Sequence, residues 1–262
     1  EDNLSYCYDN LKNYLNSSDF DNDSRYWKKH LLDVGNHVKF YNIESNNYES
    51  IRIHFDSKTF PKFLNRYEVS KFEFMVAIFS LYLSRIDRTE GCLLKTFIRG
   101  NDSDKMALLK MEHVGDNFFV DYLNEVKSVY SLAVQHTKVN VDRYIDENLS
   151  YYAIHDFTGF NNFSVFNGEG SALTLNVYDD FLDLIYNSDL FSDVYIGHMV
   201  ENISSLIDNI LNNPNQQCMG IDILSDNDRI VIFGNRNFIS KSYNDIELKN
   251  NKNTPISRSA FL

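Results

Sequence analysis

Seven histidines in a chain of 262 residues are the side chains best suited to acid and base chemistry at neutral pH. A catalytic imidazole needs reach to its proton and a partner that orients it. Two histidines have a carboxylate three residues later, His30 with Asp33 and His113 with Asp116, but with 37 acidic residues this spacing also arises by chance. His155 and Asp156 are adjacent, and neighbouring side chains in a strand face opposite sides, which argues against a joint role. His54 falls on the outer face of an alternating segment and reads as a surface histidine. His198, between Gly197 and Met199 of an amphipathic helix, reads as a surface or partly buried one. There is no G-x-S-x-G, phosphate loop, dinucleotide fingerprint or H-E-x-x-H. On motifs alone no catalytic, cofactor-binding or metal-ligating residue is assigned. Sequons such as Asn16-Ser-Ser and Asn202-Ile-Ser arise by chance in an asparagine-rich chain.

The clearest element that could position such groups is a long helix starting near Ser192. Ser192 serves as its N-cap with Asp193 in the first turn, Ile196, Met199, Ile203, Leu206, Ile207 and Ile210 recur at helical spacing, and Asn212-Asn213-Pro214 ends it. Upstream, a helical stretch around Tyr8 to Leu15 is followed by the polar link SSDFDND, then Ser24 as a cap for RYWKKHLL, anchored by Trp27, the only tryptophan. Lys39 to Asn47 reads as a loop and Ser50 to Asp56 as a half-buried strand. Helices follow over Ser57 to Tyr67 and Ser70 to Arg88. Ser70 and Glu73 form a capping box, and the second helix is apolar nearly all round, so it must lie under other elements. Cys92 to Arg99 and Met106 to Met111 read as strands, Arg99 to Asp102 as a turn, Phe118 to Gln135 as a long helix and Val139 to Ile145 as a shorter one. Strands are expected over Tyr151 to Phe157, Ala172 to Val177 and Phe181 to Tyr186, the last two as a hairpin. A short apolar piece at Ile221 to Leu224 precedes Asp226 to Phe233, and the polar tail from Asn235 to Thr254 reads as a linker.

With 43% hydrophobic residues the chain can bury a sizeable core, as one large or two small domains. A net charge of −12 weighs against nucleic acid and anionic membrane surfaces as partners. Three scattered cysteines, Cys7, Cys92 and Cys218, suggest neither a disulfide framework nor a zinc site and fit a reducing cytoplasm. The longest apolar run, Phe74 to Leu83, is about half of what a spanning helix needs. A start at Glu1 suggests a processed chain or a piece of a larger one.

The order of these elements resembles the nonribosomal peptide synthetase condensation domains. NYLNSSDFDNDSRYWKKHL (13–31) is similar to the family stretch in which a polar link precedes a tyrosine-tryptophan pair and a helix. EVSKFEFMVAIFSLYLSRI (68–86) resembles its buried helix, CLLKTFIRGN (92–101) its strand and arginine-asparagine turn, and FFVDYLNEVKSVYSLAVQHTKVNVDRYID (118–146) its long helix, histidine-containing break and next helix. Asp189-Leu190-Phe191 and the helix after it resemble the closing corner, and the tail ending Lys252-Asn-Thr-Pro255 the linker toward an adenylation domain. The resemblance implies an α/β fold, a chloramphenicol acetyltransferase-like lobe with a mixed central sheet flanked by long helices, over residues 1–234. Residues 235–262 would be linker.

The same resemblance implies the C-terminal, acceptor-side lobe of a domain that joins a carrier-bound donor thioester to an acceptor amine. Peptidyl carrier domains, an N-terminal condensation lobe and an adjacent adenylation domain are the implied partners. Phosphopantetheine arms belong to the carriers, and this chain is expected to bind no cofactor itself. The family's catalytic His-His-x-x-x-Asp-Gly matches no stretch of this sequence. Its Gly-Phe-Val-Asn-Thr segment is replaced by Asp104 to Leu109, and its His-Gln-Asp-x-Pro-Phe-Glu appears as His136-Thr-Lys-Val-Asn-Val-Asp142. These departures keep open a degenerate, non-catalytic scaffold that docks a carrier domain or tailoring partner. A stand-alone acyl-CoA acyltransferase of the same fold would lack the linker that Asn235 to Pro255 suggests.

Overall fold

The computed structural model describes residues 11–32, 46–54, 59–98, 104–112, 114–115, 117–144, 151–159 and 170–230. The chain forms two compact units, Glu1–Ile223 and Leu224–Leu262. In the second, Ser225 Oγ accepts from Asp228 N and caps a four-residue helix, Asp226–Arg229.

The first unit is built on a six-stranded mixed sheet. Its strands are β1 (Tyr48–Ile53), β2 (Cys92–Ile98), β3 (Lys105–Met111), β4 (Tyr151–Asp156), β5 (Ser171–Val177) and β6 (Leu182–Asn187), in the spatial order β1-β6-β5-β4-β2-β3. The central pairs β2/β4 and β4/β5 are parallel; β1/β6, β5/β6 and β2/β3 are antiparallel. The expected hairpin is β5/β6, closed by Tyr178 N donating to Phe181 O at 3.0 Å.

Besides the helical residues 11–15, the long helices among the described residues are α1 (Ser18–His30), α2 (Phe60–Tyr67), α3 (Lys71–Asp87), α4 (Phe119–Gln135) and α5 (Asp193–Asn212). Every residue of α3 from Phe74 to Ser84 is buried, because the helix lies between the sheet and its neighbours α4 and α5. Its capping box is formed: Ser70 Oγ accepts from Glu73 N, and Glu73 Oε2 accepts from Ser70 N at 2.7 Å. Inside the helix layer, the Ser80 and Tyr122 hydroxyls lie 2.5 Å apart and join α3 to α4. Ser192 caps α5 as expected, accepting from Tyr195 N.

Three expectations are corrected. Ser24 lies inside α1 and caps nothing; Ser17 accepts from Phe20 N instead, and Asp19 and Asp21 in the first turn favour the earlier start through the helix dipole. The SSDFDND link is therefore largely helix. The helix expected over Val139 to Ile145 is a single 3-10 turn, Val141–Tyr144. The first strand begins at Tyr48, paired with Asn187, rather than at Ser50. Arg99 to Asp102, His113, Asp116, Asp33 and the tail from residue 235 lie outside the described residues.

Candidate functional site

The two faces of the sheet differ in chemistry. Side chains alternate along each strand, so the registers place Leu94, Tyr152, Ile154, Leu173, Leu175 and Leu184 on one face, toward α3. Tyr152 OH donates to Asp87 of α3 across this face at 2.5 Å. The opposite face carries Lys95 on β2, Ala153 and His155 on β4, Ala172, Thr174 and Asn176 on β5, Asp183 on β6 and Arg52 on β1. His155 registers with Asn176, and Asn176 with Asp183. Arg52 Nε donates to Asp183 at 3.0 Å.

Aromatic rings form a continuous row along the carboxyl ends of β2, β4 and β5 on this polar face. Phe97 lies 5.0 Å from His155, His155 6.4 Å from Phe157, Phe157 5.1 Å from Tyr178, and Tyr178 4.4 Å from Phe181, the last two pairs stacked. The Arg52 guanidinium sits 3.9 Å over Phe181. Lys71, the first residue of α3, fixes the β5/β6 turn by donating to the Tyr178 and Asp179 carbonyls at 2.5 and 2.8 Å. Burial, with Lys95 adding to it, pushes His155 down to about 3, so its imidazole is neutral at physiological pH. Thr174 Oγ1 and Asn176 Oδ1 are buried with no hydrogen-bond partner among the described residues. Asp156, as expected, turns away from His155 and accepts from Thr158 N and Oγ1.

A second cluster closes the β3 edge. His136, at the end of α4, donates from Nδ1 to Asp23 Oδ1 of α1 at 2.6 Å, and Tyr14 OH donates to the other carboxylate oxygen at 2.6 Å. Tyr26 stacks between His136 at 4.2 Å and His30 at 5.2 Å, and burial pushes its phenol up to about 12. Trp27 Nε1 donates to the His136 carbonyl at 2.8 Å. His30 Nε2 lies 3.2 Å from Leu108 O and 3.3 Å from Lys110 N, so one imidazole covers the outer backbone groups of an edge strand. Asp23 orients His136, yet the described partners of the pair include no serine, threonine, cysteine or lysine, and the Tyr14 hydroxyl is held by Asp23 as a donor, so the geometry is that of a clasp between α1 and α4.

Beside this clasp opens a cavity of about 420 Å³, between residues 11–20, the start of β3 and residues 137–143. Phe97, the end of the aromatic row, is one of its walls.

Of the histidines weighed from sequence, the structure brings His155 into the aromatic row and His30 and His136 into the clasp, while His54 and His198 are exposed. Spacing alone did not reveal the row, because its rings come from four strand ends. Among the described residues no group of three or more His, Cys, Asp or Glu could hold a metal ion, and no helix is long and apolar enough to cross a membrane.

No protein-family model matches the sequence, and no curated protein matches it either. Solved structures do. The X-domain in complex with OxyB from teicoplanin biosynthesis aligns with a TM-score of 0.70 at 13% identity, over 83% of this chain and 59% of that one. The first condensation domain of the CDA synthetase aligns at 0.64 and 10% identity, over 81% and 54%. The fold is that of a condensation domain. The four-domain nonribosomal peptide synthetase bound to AMP and glycine shares the condensation fold at a TM-score of 0.67 and 16% identity, over 80% of this chain and 20% of that one. The chain thus spans little more than half the length of the single-domain condensation-fold structures, and at these identities the likeness is one of fold.

Proposed function

We propose that residues 1–234 form the acceptor-side, C-terminal lobe of a nonribosomal peptide synthetase condensation domain, followed by a linker toward an adenylation domain. One observation carries this reading. The sheet packs its apolar face on helices, whereas its other face keeps Lys95, His155, Thr174 and Asn176 among the small residues Ala153 and Ala172, with Thr174 Oγ1 and Asn176 Oδ1 buried and without a hydrogen-bond partner among the described residues. Unpaired buried polar groups cost about 1–3 kcal/mol each, which a wall of a hydrated channel, meeting amide groups or water, would relieve. In this reading carrier-borne phosphopantetheine arms bring donor and acceptor to that wall. The acceptor amine attacks the donor thioester carbonyl, the C–N bond forms, the C–S bond breaks and the thiol leaves on the donor arm. The base that takes the amine proton belongs to the other lobe, since no residue of this chain matches the catalytic motif.

A second reading, a non-catalytic condensation-like scaffold that docks a carrier or tailoring partner, is favoured by the X-domain among the similar structures and by the altered segment from His136 to Asp142. Loading both carrier domains and assaying the full-length protein for amide product separates the two. Product supports the first reading; carrier or partner binding without product supports the second.

A further inference from the structure

We propose that the cavity beside the Asp23–His136 clasp binds a small amphipathic anion, a carboxylate or phosphate monoester carrying a short acyl or aryl body. Its walls divide into two chemistries. Tyr14, Phe20, Phe97, Met106 and Val139 give an apolar lining, with Tyr14 and Phe20 in an edge-on pair at 5.7 Å. Lys105, Lys138 and Arg143 line the same cavity against one carboxylate, Asp104. None of the three cations is ion-paired among the described residues, and Lys138 Nζ lies 5.9 Å from the Tyr14 ring centre.

In a chain of net charge −12, three cations with no ion pair among the described residues line one concave surface, and although Asp23 and Asp19 act on Tyr14 at its other side, the cationic side favours anions. The Tyr14 hydroxyl is already committed to Asp23, so this residue presents its ring, not a polar group, to a ligand. A volume of about 420 Å³ accommodates a body of the size that ligand pockets usually hold.

The site carries its own reporter. Trp27, the only tryptophan, donates to the carbonyl of His136, and the next residue, Thr137, lines the cavity. Titration of the whole protein with octyl phosphate, octanoate and octanol, followed by calorimetry and by Trp27 emission, tests the proposal. The expected result is saturable one-site binding of at least one anion with a change in Trp27 emission, and binding of octanol at least about tenfold weaker, a difference of about 1.4 kcal/mol. Preference for octyl phosphate over octanoate identifies a phosphate ligand, and the reverse a free acid.

The double variant Lys138→Glu/Arg143→Glu should weaken anion binding at least about tenfold while keeping the wild-type urea midpoint; Asp104→Asn should strengthen it. Equal affinity for octanol, an unchanged affinity in the charge-reversed protein, or no binding of either anion at about 5 mM overturns the proposal. It stands apart from the condensation reading, which the amide-forming assay tests independently.

Discussion

Replacing Gly91 by alanine should open the start of the β2/β3 pair, and the magnitude follows from the backbone around it. A Cβ at this position would lie 2.3 Å from the Met111 carbonyl oxygen, 3.4 Å from its carbon and 3.5 Å from Glu112 Cα. All three are backbone atoms, so no flexible side chain can swing aside. To restore ordinary contact the oxygen must retreat by about 1 Å, an overpacking that costs about 1–3 kcal/mol. Met111 is registered with Cys92, Gly91 O accepts from Thr89 Oγ1 at 2.8 Å, and Val114 N donates to Glu90 O at 3.0 Å, so the shift strains one or two further hydrogen bonds worth about 0.5–1.5 kcal/mol each. The expected loss is about 2–4 kcal/mol out of a typical domain stability of about 5–15. Gly197 supplies the internal control. It lies in α5 with nothing within 4 Å of an added Cβ, so Gly197→Ala should stabilise by about 0.5–1 kcal/mol. Urea unfolding of the full-length protein, followed by circular dichroism and Trp27 emission, reads both. An unchanged midpoint for Gly91→Ala, or a lowered one for Gly197→Ala, refutes the packing described at these two sites.

Acid should destabilise the fold through His155. Its folded pKa lies near 3, below the usual 6.5, so above pH 6.5 both folded and unfolded forms are neutral and the group contributes no pH dependence. Below 6.5 the unfolded chain takes up a proton that the folded chain refuses, and stability falls by up to about 1.4 kcal/mol per pH unit until the pH approaches 3. His155→Gln should flatten that part of the urea-midpoint profile, with His30, shifted in the same direction, accounting for some of the remaining slope; superimposable profiles would count against a buried neutral imidazole. At the start of α3, Ser70→Ala should cost about 0.5–2 kcal/mol. Adding Glu73→Ala should cost less than the two single losses combined, because the residues satisfy each other's backbone N–H, and strict additivity in the mutant cycle would contradict the capping box.

Elements with strong local chemistry were legible before the structure. Ser70 with Glu73, and Ser192 with Asp193, announce helix starts within a few residues; the all-round apolarity of residues 72–83 announces a helix between layers; and Asp179-Asp180 announces the β5/β6 turn. Ser24 suited an N-cap locally but lies inside the helix, whose start at Ser17 goes with the burial of Asp23 and Trp27 on one face. The parallel pairing of β4 with β2 and β5 is non-local, and no periodicity within a strand reports it. The candidate site was hidden for the same reason. Phe97, His155, Phe157, Tyr178 and Phe181 lie in separate segments of the sequence and become a row only when the strand order is known. His136 stood out through the resemblance, but its partner Asp23, 113 residues earlier, could not be found by spacing.

The central proposal is that this chain supplies one lobe of an amide-forming domain whose base lies in the other. The most direct measurement is dipeptidyl product formed by the full-length protein, with both carrier domains loaded, before and after alanine replaces the second histidine of the His-His-x-x-x-Asp-Gly that the proposal requires in the other lobe. Product that forms in the parent and is lost in the variant is the predicted result. Product that persists in the variant, or a full-length protein with no first lobe, contradicts it.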